Sequence, residues 1–261
     1  MPGMKRDQMK VIINADDFGL NSEVNAAILD LVGRGGITSV TMLANAPAIQ
    51  EGVKELPKNS RCSFGVHLNL TEFAPLTPRA SLGELARCLG QDGCFLNENA
   101  LSTQKFSGQL RESMFIELKL QVERILSYGV QVSHFDSHNH IHTLPGLLPV
   151  LKKLQRHFGI RKVRTSRNVY PLSARASRLL LLKKRIWDFA LRHYPSTTCT
   201  SAFTSFAVFY ALATRVILPY ESIELMVHPG NTDFQEETML LFSRWKEAIV
   251  FPIRLIPYDE L

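Results

Sequence analysis

Five polar side chains recur at every second residue of one short stretch: His134, Asp136, His138, His140 and His142. No other feature constrains the chain as strongly. Side chains two residues apart point to the same side of an extended strand, so the run reads as a polar face turned towards a ligand or a reacting group. Its flanks are apolar, with Val130 and Val132 leading in like a buried strand and Leu144, Leu147, Leu148, Val150 and Leu151 leading out like a core helix. Those flanks argue against a solvated histidine-rich loop. At about 3.3 Å per residue, His134 and His142 would lie roughly 25 Å apart if fully extended, so only a subset can meet one ion. The middle of the run, where the strand should end and the chain turn, is the expected place, with partners supplied from elsewhere in the sequence.

The rest of the chain alternates short apolar runs with helical periodicity. Strands are expected at 11–13, 39–43, 64–71, 162–165, 223–227 and 253–256. A helix capped by Asn21 or Ser22 should run to Gly33, a second should open at Pro47, and others should cover 115–126, 146–157, 173–193 and 239–249. Repeated strand and helix argue for an α/β chain with a parallel sheet. With 261 residues and 45% apolar side chains, it can bury one core, and a single domain over 1–261 is expected. Residues 72–110 carry Pro75, Pro78 and weak periodicity, too long for a connector, and are expected to form an insertion and candidate lid beside the site. The stretch 203–218 is apolar without a clean period and receives no assignment.

Charge says little about the partner. The net charge of +6 would suit an anion, yet the basic residues concentrate in 173–193, among them Arg175, Arg178, Lys183, Lys184, Arg185 and Arg192. A solvated helix face is the favoured reading there over a membrane-surface or nucleic-acid role. Cys62, Cys88, Cys94 and Cys199 form no CxxC pair, which points to a reducing cytoplasm. The start, MPGMKRDQMK, has no apolar core of a signal peptide, and no run reaches the ~18 apolar residues of a membrane span. No nucleic-acid partner is expected, and a homodimer is left open.

Each polar constellation follows an expected strand: Asp16 and Asp17 the first, His67 on the third, His138 after the next, Arg164 on another and His228 after a late one. In parallel α/β folds the active site lies at the carboxyl ends of the strands, so these distant residues should converge. One carboxylate and two imidazoles, Asp17, His67 and His138, form a serviceable divalent-metal site. A turn at Phe18 and Gly19 would let Asp16 reach the same cavity as a base accepting a proton from metal-activated water, and His228 could protonate a departing amine. Arg164 could hold Asp16 ionised or orient a substrate oxygen. Asp136 could fix the tautomer of a ligating histidine.

The stretches Ile13 to Gly19, Gly36 to Ser39, Gly65 to Glu72, Asp136 to His142 and Met226 to Gly230 resemble, in this order, the YdjC-like carbohydrate deacetylases. The resemblance implies a single-domain distorted (β/α) barrel with parallel strands that removes acetyl groups from N-acetylated sugars using a bound divalent ion. It places the metal on Asp17, His67 and His138, with Asp16 as base and His228 as acid. It points to Mg²⁺, whereas two imidazoles suit Zn²⁺ by ligand softness. Where the family often has glycine after Thr-Glu, this chain has Phe73, and residues 197–203 lack acidic and histidine side chains common in relatives. The alternatives are a metal-dependent phosphoesterase on a similar barrel, with His140 and His142 as further ligands, and a binding protein without turnover. A glycosidase is disfavoured because no acid-base carboxylate pair is evident apart from Asp16-Asp17.

Overall fold

The computed structural model describes residues 8–57, 60–171, 176–193 and 196–261. In chain order it forms β1 (Met9–Phe18), α1 (Ser22–Gly33), β2 (Ser39–Met42), α2 (Ile49–Gly52), β3 (Ser63–Leu68), α3 (Glu98–Ser102), α4 (Gly108–Ser127) and β4 (Val132–Ser137). There follow α5 (Leu148–Phe158), β5 (Lys162–Val163), α6 (Arg178–His193), β6 (Ala202–Ser205), α7 (Phe206–Ala213), β7 (Ser222–Val227), α8 (Gln235–Leu241) and β8 (Ile253–Leu255).

The strands form one sheet in the order β5-β4-β3-β2-β1-β7-β6, with β8 paired to the start of β1 and every pairing parallel. β1 sits centrally and is buried on both faces, as Val11, Ile12, Ile13 and Ala15 require. The sheet curls until its edges meet. β5 and the residues after it reach the β6 side through two isolated parallel bridges, Lys162 to Thr198 and Asn168 to Phe203, with Phe203 N donating to the Arg167 carbonyl at 2.9 Å. The result is the expected distorted barrel, closed by irregular backbone rather than by a full strand pair.

Local chemistry sets the element ends. Asn21 caps α1, its side chain accepting from Val24 N at 2.8 Å, and Gly159 ends α5 at φ 71°. Between β3 and β4, Gly65 makes room for the buried His134 ring: a Cβ there would lie 2.5 Å from the imidazole.

Several expectations need correction. The helix opened by Pro47 is a single turn, α2. The third strand ends at Leu68, so Asn69 leaves the His67 face and instead accepts from the backbone of Thr71 and Glu72, organising the loop. Arg164 lies just past β5, not on a strand. The stretch 203–218 becomes β6 and α7, because Ser205 caps a helix within it. The helix expected at 239–249 is α8, ending at Leu241, followed by a 3-10 turn, Trp245–Ala248. The basic segment is helical from Arg178; residues 173–175, including Arg175, lie outside the described residues. The insertion after Glu72 consists of 3-10 turns and α3, and its first part is no free lid. Buried Glu117 on α4 accepts from Leu76 N at 3.0 Å, and from Thr77 N at 2.8 Å and Thr77 Oγ1 at 2.7 Å.

Candidate active site

The polar side chains gather at the carboxyl ends of β1, β3, β4 and β7. β1 supplies two adjacent carboxylates, which on a regular strand would face opposite sides. The expected turn at Phe18 and Gly19 is present, closed by Leu20 N donating to the Asp17 carbonyl at 3.0 Å, and the strand already departs from regular geometry at Asp17. Asp17 has φ 68°, and the β1 to β2 register shifts between Ala15 and Phe18. A left-handed non-glycine residue costs of order 1–3 kcal/mol and persists only where its surroundings enforce it.

β3 presents His67, buried, between Asp136 and Asp17. Its Nδ1–H donates to Asp136 Oδ1 at 2.7 Å, and Thr41 Oγ1 donates to Asp136 Oδ2 at 3.0 Å. Nε2 therefore faces Asp17 Oδ1, 3.3 Å away. The alternation of the histidine run stops at His138, because β4 ends at Ser137 and Asn139 and His140 both take left-handed backbone (φ 51° and 53°). This reversal aims His138 back at the site. Its Nε2 lies 2.8 Å from Glu72 Oε2 and its Nδ1 2.9 Å from Asp17 Oδ1, so the ring stands between two carboxylates.

A neutral imidazole has one donor nitrogen and one acceptor. With Asp136 and Glu72 taking the donors, the acceptor nitrogens of both rings face the Asp17 carboxylate, an arrangement that demands a shared cation. Either protons or a metal ion would satisfy it. Burial opposes charge on both rings, yet Asp136 and neighbouring carboxylates push His67 up to about 10, and the hydrogen bonds to Asp17 and Glu72 push His138 up to about 9. Burial would also raise Asp17, but the same two histidines hold it well below the carboxylate range. The ligand atoms of Asp17, His67 and His138 lie within 4.8 Å of one another, and carboxylate partners orient both histidines as metal-ligating imidazoles are commonly held. This donor set fits a divalent ion.

A second group of donors, Asp16, His67 and Asp136, fits less well. Arg164, fully buried, already occupies it: Nη1 and Nη2 donate to Asp16 at 2.7 and 2.6 Å, Nη2 lies 2.9 Å from Asp136 Oδ2, and Nε donates to Glu224 at 2.8 Å. A metal there would sit against a guanidinium. The same contacts leave Arg164 spread over three carboxylates, with its guanidinium over the Phe203 ring, 4.8 Å from the centroid. Burial alone would raise the Asp16 carboxyl; Arg164 overrides it and keeps Asp16 well below the ordinary range. Asp16 Oδ1 also accepts from Asn14, while Oδ2 lies 4.0 Å from His67 Nε2, on the side of the Asp17 group.

The structure thus brings Asp16, Asp17, His67, His138, Asp136 and Arg164 into one network. His228 lies past β7, stacked on Phe234 with ring centroids 4.5 Å apart, and within electrostatic reach of Asp16. Its backbone N donates to Glu237 at 3.0 Å, and its buried Nδ1 has no hydrogen-bond partner among the described residues. His140 and His142 fall outside both donor groups. Burial lowers His140 to about 4, with its ring against Phe203, and His142 Nδ1 pairs with Ser137 Oγ at 2.6 Å. The sequence reading missed Glu224, which Tyr258 OH also holds and which burial raises to about 7. A lone glutamate inside the apolar strand Ser222–Val227 was the available signal.

Residues 10–249 match the family model described as YdjC-like protein. A carbohydrate deacetylase of Halalkalibacterium halodurans is 36% identical over 152 residues, 58% of this chain and 62% of that relative. One of Vibrio campbellii is 38% identical over the same length, 57% of that relative, so the chain spans little more than half of these two. A carbohydrate deacetylase of Listeria monocytogenes matches end to end, 30% identical over 97% of this chain and 93% of the relative. Among solved structures, one from Enterococcus faecalis V583, provisionally named a cellobiose-phosphate cleavage protein, superposes with a TM-score of 0.75 at 23% identity, covering 97% of this chain and 98% of the other. That likeness supports the fold. With a family model covering most of its length and a relative aligned over nearly all of it, the chain belongs to the YdjC-like protein family.

Proposed function

We propose that this protein is a metal-dependent hydrolase that removes the acetyl group from an N-acetylated sugar. One observation carries the reading: an oriented donor trio, Asp17, His67 and His138, adjoins a permanently ionised carboxylate, Asp16. The relatives named carbohydrate deacetylases support the same chemistry.

A divalent ion on the trio would supply Lewis acidity to a water molecule and to the amide carbonyl oxygen. The protein's own groups do the rest. Asp16, kept ionised by Arg164, accepts the water's proton on Oδ2, the oxygen facing the trio. Water adds to the carbonyl carbon, the C–N bond then breaks, and His228 protonates the departing nitrogen, leaving acetate and a free amine. Arg164 acts through Asp16 as a positioning residue. Asp136 and Glu72 fix the ring tautomers of His67 and His138. The four cysteines are unpaired, which favours a reducing cytoplasm as the setting. No helix among the described residues is long and apolar enough to cross a membrane.

The test is acetate release from N-acetylglucosamine and its oligomers, with and without Mg²⁺ or Zn²⁺, comparing the unaltered protein with Asp16→Asn. Metal-dependent release that the variant loses would support the reading. Phosphate release from phosphoesters with two ions bound per chain would replace it with the phosphoesterase alternative.

A further inference from the structure

α6 packs on the barrel through Trp187, Asp188 and Leu191. Its opposite side is left uncovered by the described residues. Leu179, Leu182, Ile186 and Phe189 are 63%, 53%, 61% and 63% exposed. At 3.6 residues per turn these four fall within about 80° of arc, forming one stripe two-thirds of the helix long. Single exposed apolar residues are ordinary, but a contiguous stripe marks a surface meant to be covered.

Charge identifies the cover. On the same helical projection, Lys183 lies on one shoulder of the stripe, and Arg178 and Arg185 on the other. The only acidic residue of the helix, Asp188, is buried and paired with Thr165 and Arg192. Among the described residues of the helix, the exposed face therefore carries apolar and cationic groups with no anion. A second copy of the same helix laid against it would bring like charges together. An anionic partner with an apolar interior would match both features, with the leucines and phenylalanine inserted at the acyl boundary and the cations among headgroups.

We propose that α6 docks this protein on the surface of an anionic lipid bilayer. A cavity of about 750 Å³ opens beside the helix, lined on it by Lys183, Lys184 and Trp187 and on the barrel by His140, Thr165 and Phe203. Docking would bring that cavity to the membrane. The inference stands whichever reaction the site performs.

The test is co-sedimentation of the full chain with vesicles of phosphatidylglycerol and phosphatidylcholine, or of phosphatidylcholine alone, with the oligomeric state read by light scattering. The proposal expects binding to the anionic vesicles only, weakened as salt rises. It expects Leu182→Asp/Ile186→Asp to bind at least tenfold more weakly with an unchanged circular dichroism spectrum. It expects Lys183→Gln/Arg185→Gln to lose roughly fivefold per charge removed, from about 1 kcal/mol for each cation at the surface. Absence of binding, equal binding to neutral vesicles, or undiminished binding by the apolar variant would overturn it. So would a dimer that Leu182→Asp/Ile186→Asp dissociates, which would assign the stripe to a second copy.

Discussion

Replacing Arg164 with methionine keeps much of the side-chain volume and removes the charge that Asp16, Asp136 and Glu224 share. All three carboxylates are buried, so the variant leaves negative charge in a dry interior without the guanidinium that bridges it. Removing one partner of a buried pair destabilises by about 3–5 kcal/mol, which for a chain of this size lowers Tm by roughly 6–20 °C. The loss should depend on pH, and the sign follows from the groups left behind. In the unaltered protein Arg164 depresses Asp16, stabilising the fold above the carboxyl's unfolded value, an advantage lost only in strong acid. In the variant Asp16 keeps only the weaker pull of His67 and His228 against burial, so its carboxyl rises, destabilises the fold above its unfolded value of about 4 and is relieved as it takes up a proton. The gap between the two proteins should therefore be widest near pH 8 and narrow steadily towards pH 5. Urea unfolding across that range measures it, and acetate release by the folded variant should be recovered only towards alkaline pH, where Asp16 ionises again. A variant as stable as the unaltered protein at pH 8, or a gap that widens on acidification, would refute the electrostatic account of this network.

Other perturbations separate the roles assigned above. His228→Gln should lower release of acetate from an N-acetyl sugar by about 10²–10⁴-fold with ion binding unchanged, and far less for an activated aryl acetate whose leaving group needs no proton. Equal losses on both substrates would remove His228 from the role of acid. Asp136→Asn should weaken divalent-ion binding by about 10–100-fold in calorimetry, because His67 loses the partner that directs Nε2 towards Asp17. Phe73→Gly should raise stability by about 1 kcal/mol in urea unfolding, since Phe73 holds φ 63°, a region that suits glycine and strains a bulky residue; a loss of stability would mean that the ring's packing outweighs its backbone strain.

Much of the architecture was legible because burial writes itself into period. The alternation of apolar strand and amphipathic helix gave the parallel sheet, and polar residues at strand ends pointed to one end of it. The backbone departures were not legible. Nothing in Asp16-Asp17 announces that Asp17 turns left-handed, or in the histidine run that the strand stops at Ser137 and reverses through Asn139 and His140. Those departures depend on packing from distant segments, and they decide which residues meet. The same limit hid Glu224, whose partners Arg164 and Tyr258 lie 60 and 34 residues away in sequence. Residues 203–218 defeated periodicity because a strand and a helix, both buried, succeed each other within them.

The position of the ion decides which residues are ligands and which is the base. Crystals grown with Mn²⁺ or Zn²⁺ and measured at the metal's absorption edge locate it directly through anomalous scattering. The prediction is one peak per chain, within bonding distance of Asp17, His67 Nε2 and His138 Nδ1, with Asp16 outside the ligand set and still paired with Arg164. A peak between Asp16 and Asp136 with Arg164 displaced, or two peaks per chain, would contradict it.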